Sequence, residues 1–134
     1  MKNKYKILKV PNLAVIYLPK NDGGKAITAV DIDDLVEINK YPGSWHLFEH
    51  GPTGHTYVRG WNGSDKPEPL LHRYIMEPER GQNTSHVNGN GLDNRRKNLA
   101  NVPIGKTARE ENSVKDILSK LSWIYLKSLN RGLS

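Results

Sequence analysis

The chain has no cysteine, which excludes disulfide bridges and any zinc site built on thiolates. It has a single phenylalanine, and only 36% of its residues are apolar, so the core is small and function is expected to lean on surface chemistry. No apolar run approaches the roughly 18–20 residues that cross a bilayer. Met1-Lys2-Asn3-Lys4 leads into no signal-peptide core, so the expectation is a soluble, cytoplasmic protein with no membrane partner. No internal repeat or low-complexity tract is evident. At 134 residues the chain fits one domain spanning 1–134, because domains commonly run to about 100–150 residues.

Charge of one sign is in excess. Twenty Lys and Arg against 14 Asp and Glu give a formal charge of +6 and a sequence pI near 9.6, which favours a polyanionic partner through counterion release. The cations are unevenly placed, with lysines frequent in the first 25 residues and Arg95-Arg96-Lys97 consecutive.

The pattern along the chain starts β-rich. Tyr5 to Val10 and Leu13 to Leu18 read as strands around a Pro11-Asn12 turn, and Ile27 to Val30 follows the Asn21-Asp22-Gly23-Gly24 turn. Asp31 and Asp33 supply helix-start chemistry before Leu35, Val36 and Ile38, and Pro42-Gly43 ends that short helix. Trp45 to Phe48 and Thr56 to Trp61 read as two strands joined by a Gly/Pro-rich turn. Leu70, Leu71, Tyr74 and Ile75 sit at helical spacing, with Pro78 limiting the helix. Thr107-Ala108-Arg109-Glu110 has capping-box form, and Val114, Ile117, Leu118, Leu121, Ile124, Tyr125 and Leu129 recur at three- and four-residue intervals. The expectation there is a helix over about 107–130, its apolar stripe covering the domain or a second subunit in a homodimer. Trp45, Trp61 and Trp123 are read as core residues, because each lies in an apolar pattern away from clustered cations.

The most informative stretch is Thr84-Ser85-His86-Val87-Asn88-Gly89-Asn90-Gly91-Leu92-Asp93-Asn94-Arg95-Arg96-Lys97-Asn98-Leu99, one histidine among dense turn formers beside three cations. With Leu70-Leu71-His72-Arg73-Tyr74-Ile75-Met76 upstream, it resembles the centre of small phage and mobile-intron HNH endonucleases, and the similarity covers roughly residues 27 to 112. The resemblance implies a central ββα-metal core (69–112); with the β-rich amino-terminal part (1–68), expected as antiparallel strands, and the long carboxy-terminal helix read from its periodicity (107–130), the expected class is α+β. It implies metal-dependent hydrolysis of phosphodiester bonds in double-stranded DNA, leaving 5′-phosphate and 3′-hydroxyl ends.

Site roles follow from the same resemblance. His86 stands where the general base is expected, since a neutral imidazole accepts a proton from water near physiological pH. Asn98 stands where the loop is braced, a role close to that of an ordinary cap. The metal, Mg²⁺ or else Mn²⁺, is expected at Asn112 with Ser85. Position 85 is a departure, because the family usually has Asp there and a neutral hydroxyl is a poorer ligand for a hard cation. Counting along the usual spacing lands near Thr107, whereas the Thr-x-x-Glu-Asn wording favours Asn112. Arg95, Arg96, Lys97 and Arg73 are candidate phosphate contacts, with Arg59 a further one. His72 is read as a supporting residue. Asp93 either substitutes for the missing carboxylate or orders the turn by pairing with Arg95 or Arg96. The rival reading is a degenerate HNH-type phage protein that binds DNA or serves in the virion; a third is a basic β-rich binding module.

Overall fold

The computed structural model describes residues 1–20, 23–51, 54–63 and 68–105. Strands β1 (Tyr5–Leu8), β2 (Leu13–Pro19) and β3 (Lys25–Val30) form an antiparallel meander. A 3₁₀ turn, Ile32–Asp34, leads into α1 (Leu35–Asn39), followed by the ribbon β4 (Ser44–Glu49) and β5 (Thr56–Trp61). Helix α2 (Leu71–Met76) precedes β6 (Gln82–His86), the two-residue strand β7 (Asp93–Asn94), a 3₁₀ turn at Arg96–Asn98, and β8 (Leu99–Pro103).

These eight strands lie in three sheets. β7 joins the edge of the first, pairing parallel to β3 through Ala29↔Asp93 and Val30↔Asn94. The third sheet is the antiparallel pair β6–β8, in which His86 faces Leu99 across the register.

The α+β class expected from the sequence is therefore corrected, because the described chain is mostly β and its two helices have only five and six residues. Both are cut short by Pro42-Gly43 and by Pro78, which disfavours helical backbone in the residue before it. Glu77 accordingly leaves the helix at φ 45°, ψ 60°. The long helix over 107–130 lies outside the described residues, as do Thr107, Asn112 and Trp123. No helix among the described residues is long and apolar enough to cross a membrane.

Alternation explains which faces are buried. In β2, Ala14, Ile16 and Leu18 point inward while Val15 and Tyr17 point out. They pack with Val30, Ile38, Trp45, Val58 and Leu71 in one core cluster. Trp45 is fully buried, its ring 4.4 Å from Tyr41 and 5.4 Å from Tyr74. Trp61 differs from expectation. It lies on the opposite face of the ribbon from Val58 and is 57% exposed.

Asp31 also departs from its expected role, because its side chain caps no helix. Its carboxylate instead accepts the backbone N–H of Arg96 at 3.0 Å. Asp34 takes the Arg96 side chain through Nε and Nη2 at 2.9–3.1 Å. A cation 62 residues away in the chain thus engages this acidic turn and ties the basic loop to the segment that follows the first sheet.

Candidate functional site

β6 delivers His86 to the mouth of a loop formed by residues 87–98, and β8 carries the chain back. Val87 N–H donates to Asn98 O at 2.8 Å, closing the hairpin. Asn98, nearly buried, holds the loop from inside. Its Oδ1 accepts Asn88 N–H at 3.0 Å, and its Nδ2 donates to Asn88 Oδ1 and Asp93 O, both at 2.9 Å. Further turns are set by Asn88 and Asn90, each accepting the N–H two residues on, the short-range chemistry for which Asn is favoured in loops.

His86 is half-buried among Tyr57, His72 and Asn94. The His72 ring meets it edge-on at 4.5 Å between centroids, and Tyr57 lies 6.0 Å away. Burial pushes the His86 pKa below the ordinary histidine value, partly offset by the Asn94 hydrogen bond and the Asp93 carboxylate. Its resting form at neutral pH is the uncharged imidazole, which a general base requires.

The hydrogen-bond network also fixes the tautomer. Thr28 on β3 gives its single hydroxyl proton to Leu92 O at 2.7 Å, so it can only accept from Asn94 Nδ2, at 2.8 Å. That nitrogen also faces Gly91 O at 3.2 Å. With both neighbours acceptors, the amide nitrogen must lie on that side, and Asn94 Oδ1 faces His86 Nε2 at 2.8 Å. Nε2 therefore carries the proton and donates it to Asn94. The basic lone pair of the neutral ring sits on Nδ1.

His72, read as a supporting residue, is buried on α2, and its Nδ1 has no hydrogen-bond partner among the described residues. Burial lowers its pKa to about 3, with further lowering from His86 and Arg73. Below about pH 6.5 the unfolded chain protonates this histidine and the folded chain does not, so the stability it contributes is full above that pH and declines toward pH 3. A pKa gap of this sign costs up to about 1.4 kcal/mol per pH unit. Between about pH 7.5 and pH 5, urea unfolding should lose about 2 kcal/mol from this residue. The loss should shrink in His72→Leu; an equal pH dependence in both proteins would place the buried titration elsewhere.

The remaining predicted residues divide clearly. Asp93 pairs with Arg95, Oδ1 with Nε and Oδ2 with Nη2, both at 2.8 Å, which holds its carboxyl below the usual range. Of the two readings of Asp93, the geometry realises the turn-ordering ion pair. Arg96 is likewise engaged with Asp34. Lys97 and Arg73 are exposed, Arg73 donating to Asn83 Oδ1 at 2.9 Å. Ser85 pairs with Ala100 across the β6–β8 register.

These donors alone do not fit a tight Mg²⁺ site: Ser85 offers a neutral oxygen, Asp93 is committed to a guanidinium, and the described residues hold no group of three His, Cys, Asp or Glu able to bind a metal ion. Sequence reading missed Asn94, Thr28 and Tyr57, because their roles depend on strands distant in the chain, 66 residues apart in the case of Thr28 and Asn94. No family model, no curated protein and no solved structure matches this chain.

Proposed function

We propose that the His86 loop is an HNH-like hydrolytic site acting on the phosphodiester bonds of DNA, with His86 Nδ1 as general base. The observation that carries this reading is a neutral imidazole locked in one tautomer at a strand end, beside a loop braced by Asn98 and Asp93. In this role His86 takes a proton from the attacking water, Asn94 holds the ring, and Lys97 and Arg73 are the exposed cations that receive phosphate. Dependence on Mg²⁺ or Mn²⁺, with Asn112 and Ser85 as ligands, belongs to the same proposal, as do a cytoplasmic location in a bacterial or phage-infected cell and a dimer through the segment beyond residue 106.

The test is incubation with supercoiled plasmid and Mg²⁺ or Mn²⁺, with EDTA and His86→Ala as controls. Nicked or linear product that both controls abolish is the expected result; product that persists in both would reject the assignment. A second reading, a degenerate relative that binds DNA or serves in a virion without cutting, is favoured by Ser85 and by the commitment of Asp93 to Arg95. It predicts DNA retention with no product under any metal.

Both readings require binding that is chiefly electrostatic. Neutralising several phosphates makes affinity fall steeply with salt, at about 0.9 log units per log unit of salt for each phosphate contacted. Duplex affinity should thus drop at least tenfold between low and physiological salt. A flat salt response in a filter-binding or anisotropy titration would remove the main physical support for a nucleic-acid partner.

A further inference from the structure

The ribbon β4–β5 turns one face to the core, through Trp45 and Val58, and the other outward. The outward residues lie directly opposite one another as Ser44↔Trp61, His46↔Arg59 and Phe48↔Tyr57. Arg59 sits over the Phe48 ring at 5.2 Å, and His46 meets Trp61 edge-on at 6.2 Å. A groove of about 230 Å³ runs along this face, lined by His46, Phe48, Arg59 and Trp61. Glu68 at its rim accepts the Tyr41 hydroxyl at 2.5 Å.

Two features of the face point to its occupant. It is continuous with the candidate site, because Tyr57 stacks toward both His72 and His86. It also combines the exposed Trp61 ring with the Arg59 guanidinium, on a chain of net charge +6; that pairing suits a base stacking while a phosphate meets a cation. Base accessibility then distinguishes the strand form. A duplex keeps its base faces stacked on one another, so only an unpaired strand can lay a base on an exposed ring such as Trp61.

We propose that the outer face of β4–β5 is a platform for an unpaired DNA strand leading to His86, with a base on Trp61, a phosphate at Arg59, and Tyr57 joining the face to the histidine. The platform rests on the nucleic-acid reading of the His86 loop. Its test needs no cleavage. In EDTA, a labelled oligothymidylate is titrated against wild type, Trp61→Ala, Trp61→Phe, Arg59→Gln and His86→Ala, with blunt duplex as competitor and thermal melts confirming the fold. Trp61→Ala should weaken single-strand binding roughly 5- to 100-fold, Arg59→Gln should weaken it and flatten its salt dependence, and Trp61→Phe should retain most of it. In a Trp123→Phe background, which leaves Trp45 and Trp61 as the two tryptophans, binding should quench fluorescence, and adding Trp61→Phe should abolish the quench because Trp45 is buried. Unchanged binding in Trp61→Ala, or duplex competing as well as single strand, would overturn the platform even if plasmid is cut. Platform binding without plasmid cleavage would leave the platform standing and reject the hydrolytic role of His86.

Discussion

His86→Ala should lower plasmid cleavage by about 10²–10⁴-fold, the usual contribution of a positioned general base, in a protein that still folds. The substitution strips Asn94 Oδ1 of its partner, so a modest loss of stability is expected beside the catalytic one, on the order of 1–3 kcal/mol. The pH profile carries more information than the loss itself. Because burial lowers the His86 pKa, kcat/KM should rise with pH along a limb centred below about 6.5 and then level off. Asn94→Asp would place a carboxylate against the Nε2 proton and favour the imidazolium, moving that limb to higher pH. Full activity in a folded His86→Ala protein would put the chemistry elsewhere; an unmoved limb in Asn94→Asp would reject Asn94 as the residue that positions the ring.

Gly91→Ala should unseat the loop, because a Cβ at this position would lie 1.8 Å from the Thr56 carbonyl oxygen and 3.0 Å from a Tyr57 ring carbon. The obstacle is β5 backbone, which cannot swing aside as a side chain would. Either β5 or the loop must retreat. Retreat of the loop stretches the bonds that Ala29 N–H and the Thr28 hydroxyl make to Leu92 O. Overpacking of this kind costs about 1–3 kcal/mol, occasionally more, and here it should also misplace His86 and depress cleavage. Gly89 supplies the contrast, with φ +76° and open space for 4 Å around the point a Cβ would occupy. Gly89→Asn, a residue that visits left-handed backbone at less cost than other side chains, should destabilise less than Gly91→Ala and leave cleavage nearly unchanged. Equal effects at positions 89 and 91 would mean that the approach of β5 to the loop is not what holds the site.

Local chemistry was legible wherever it was settled within about a dozen residues. The β1–β2 hairpin, the ribbon β4–β5, the short helix before Pro78 and the bracing role of Asn98 all follow from alternation, turn residues and Asn side-chain bonding. What escaped was settled between distant segments. The two-residue strand β7 has no periodicity to reveal it; it exists because β3 offers a parallel edge. Asp31 reads as a helix start until Arg96 competes for its carboxylate. Trp61 reads as core from its apolar neighbours, yet it stands one position beyond buried Gly60, and the alternation turns it to solvent. The expected α+β class rested on the resemblance to a ββα core and on helical spacing after residue 107, a segment outside the described residues, while strands dominate the described ones.

The Thr28–Asn94 and Asp34–Arg96 ties give the protein a property that matters to anyone wishing to move its site elsewhere. Residues 82–103 look like a portable cassette, a hairpin with its histidine and its brace. They are not self-sufficient. The group that aims His86 is itself aimed by a hydroxyl on β3, and the loop's second arginine is anchored just before α1. A hairpin grafted without that sheet would keep its sequence and lose the orientation of its histidine, so the unit of inheritance for this site runs from β3 to β8.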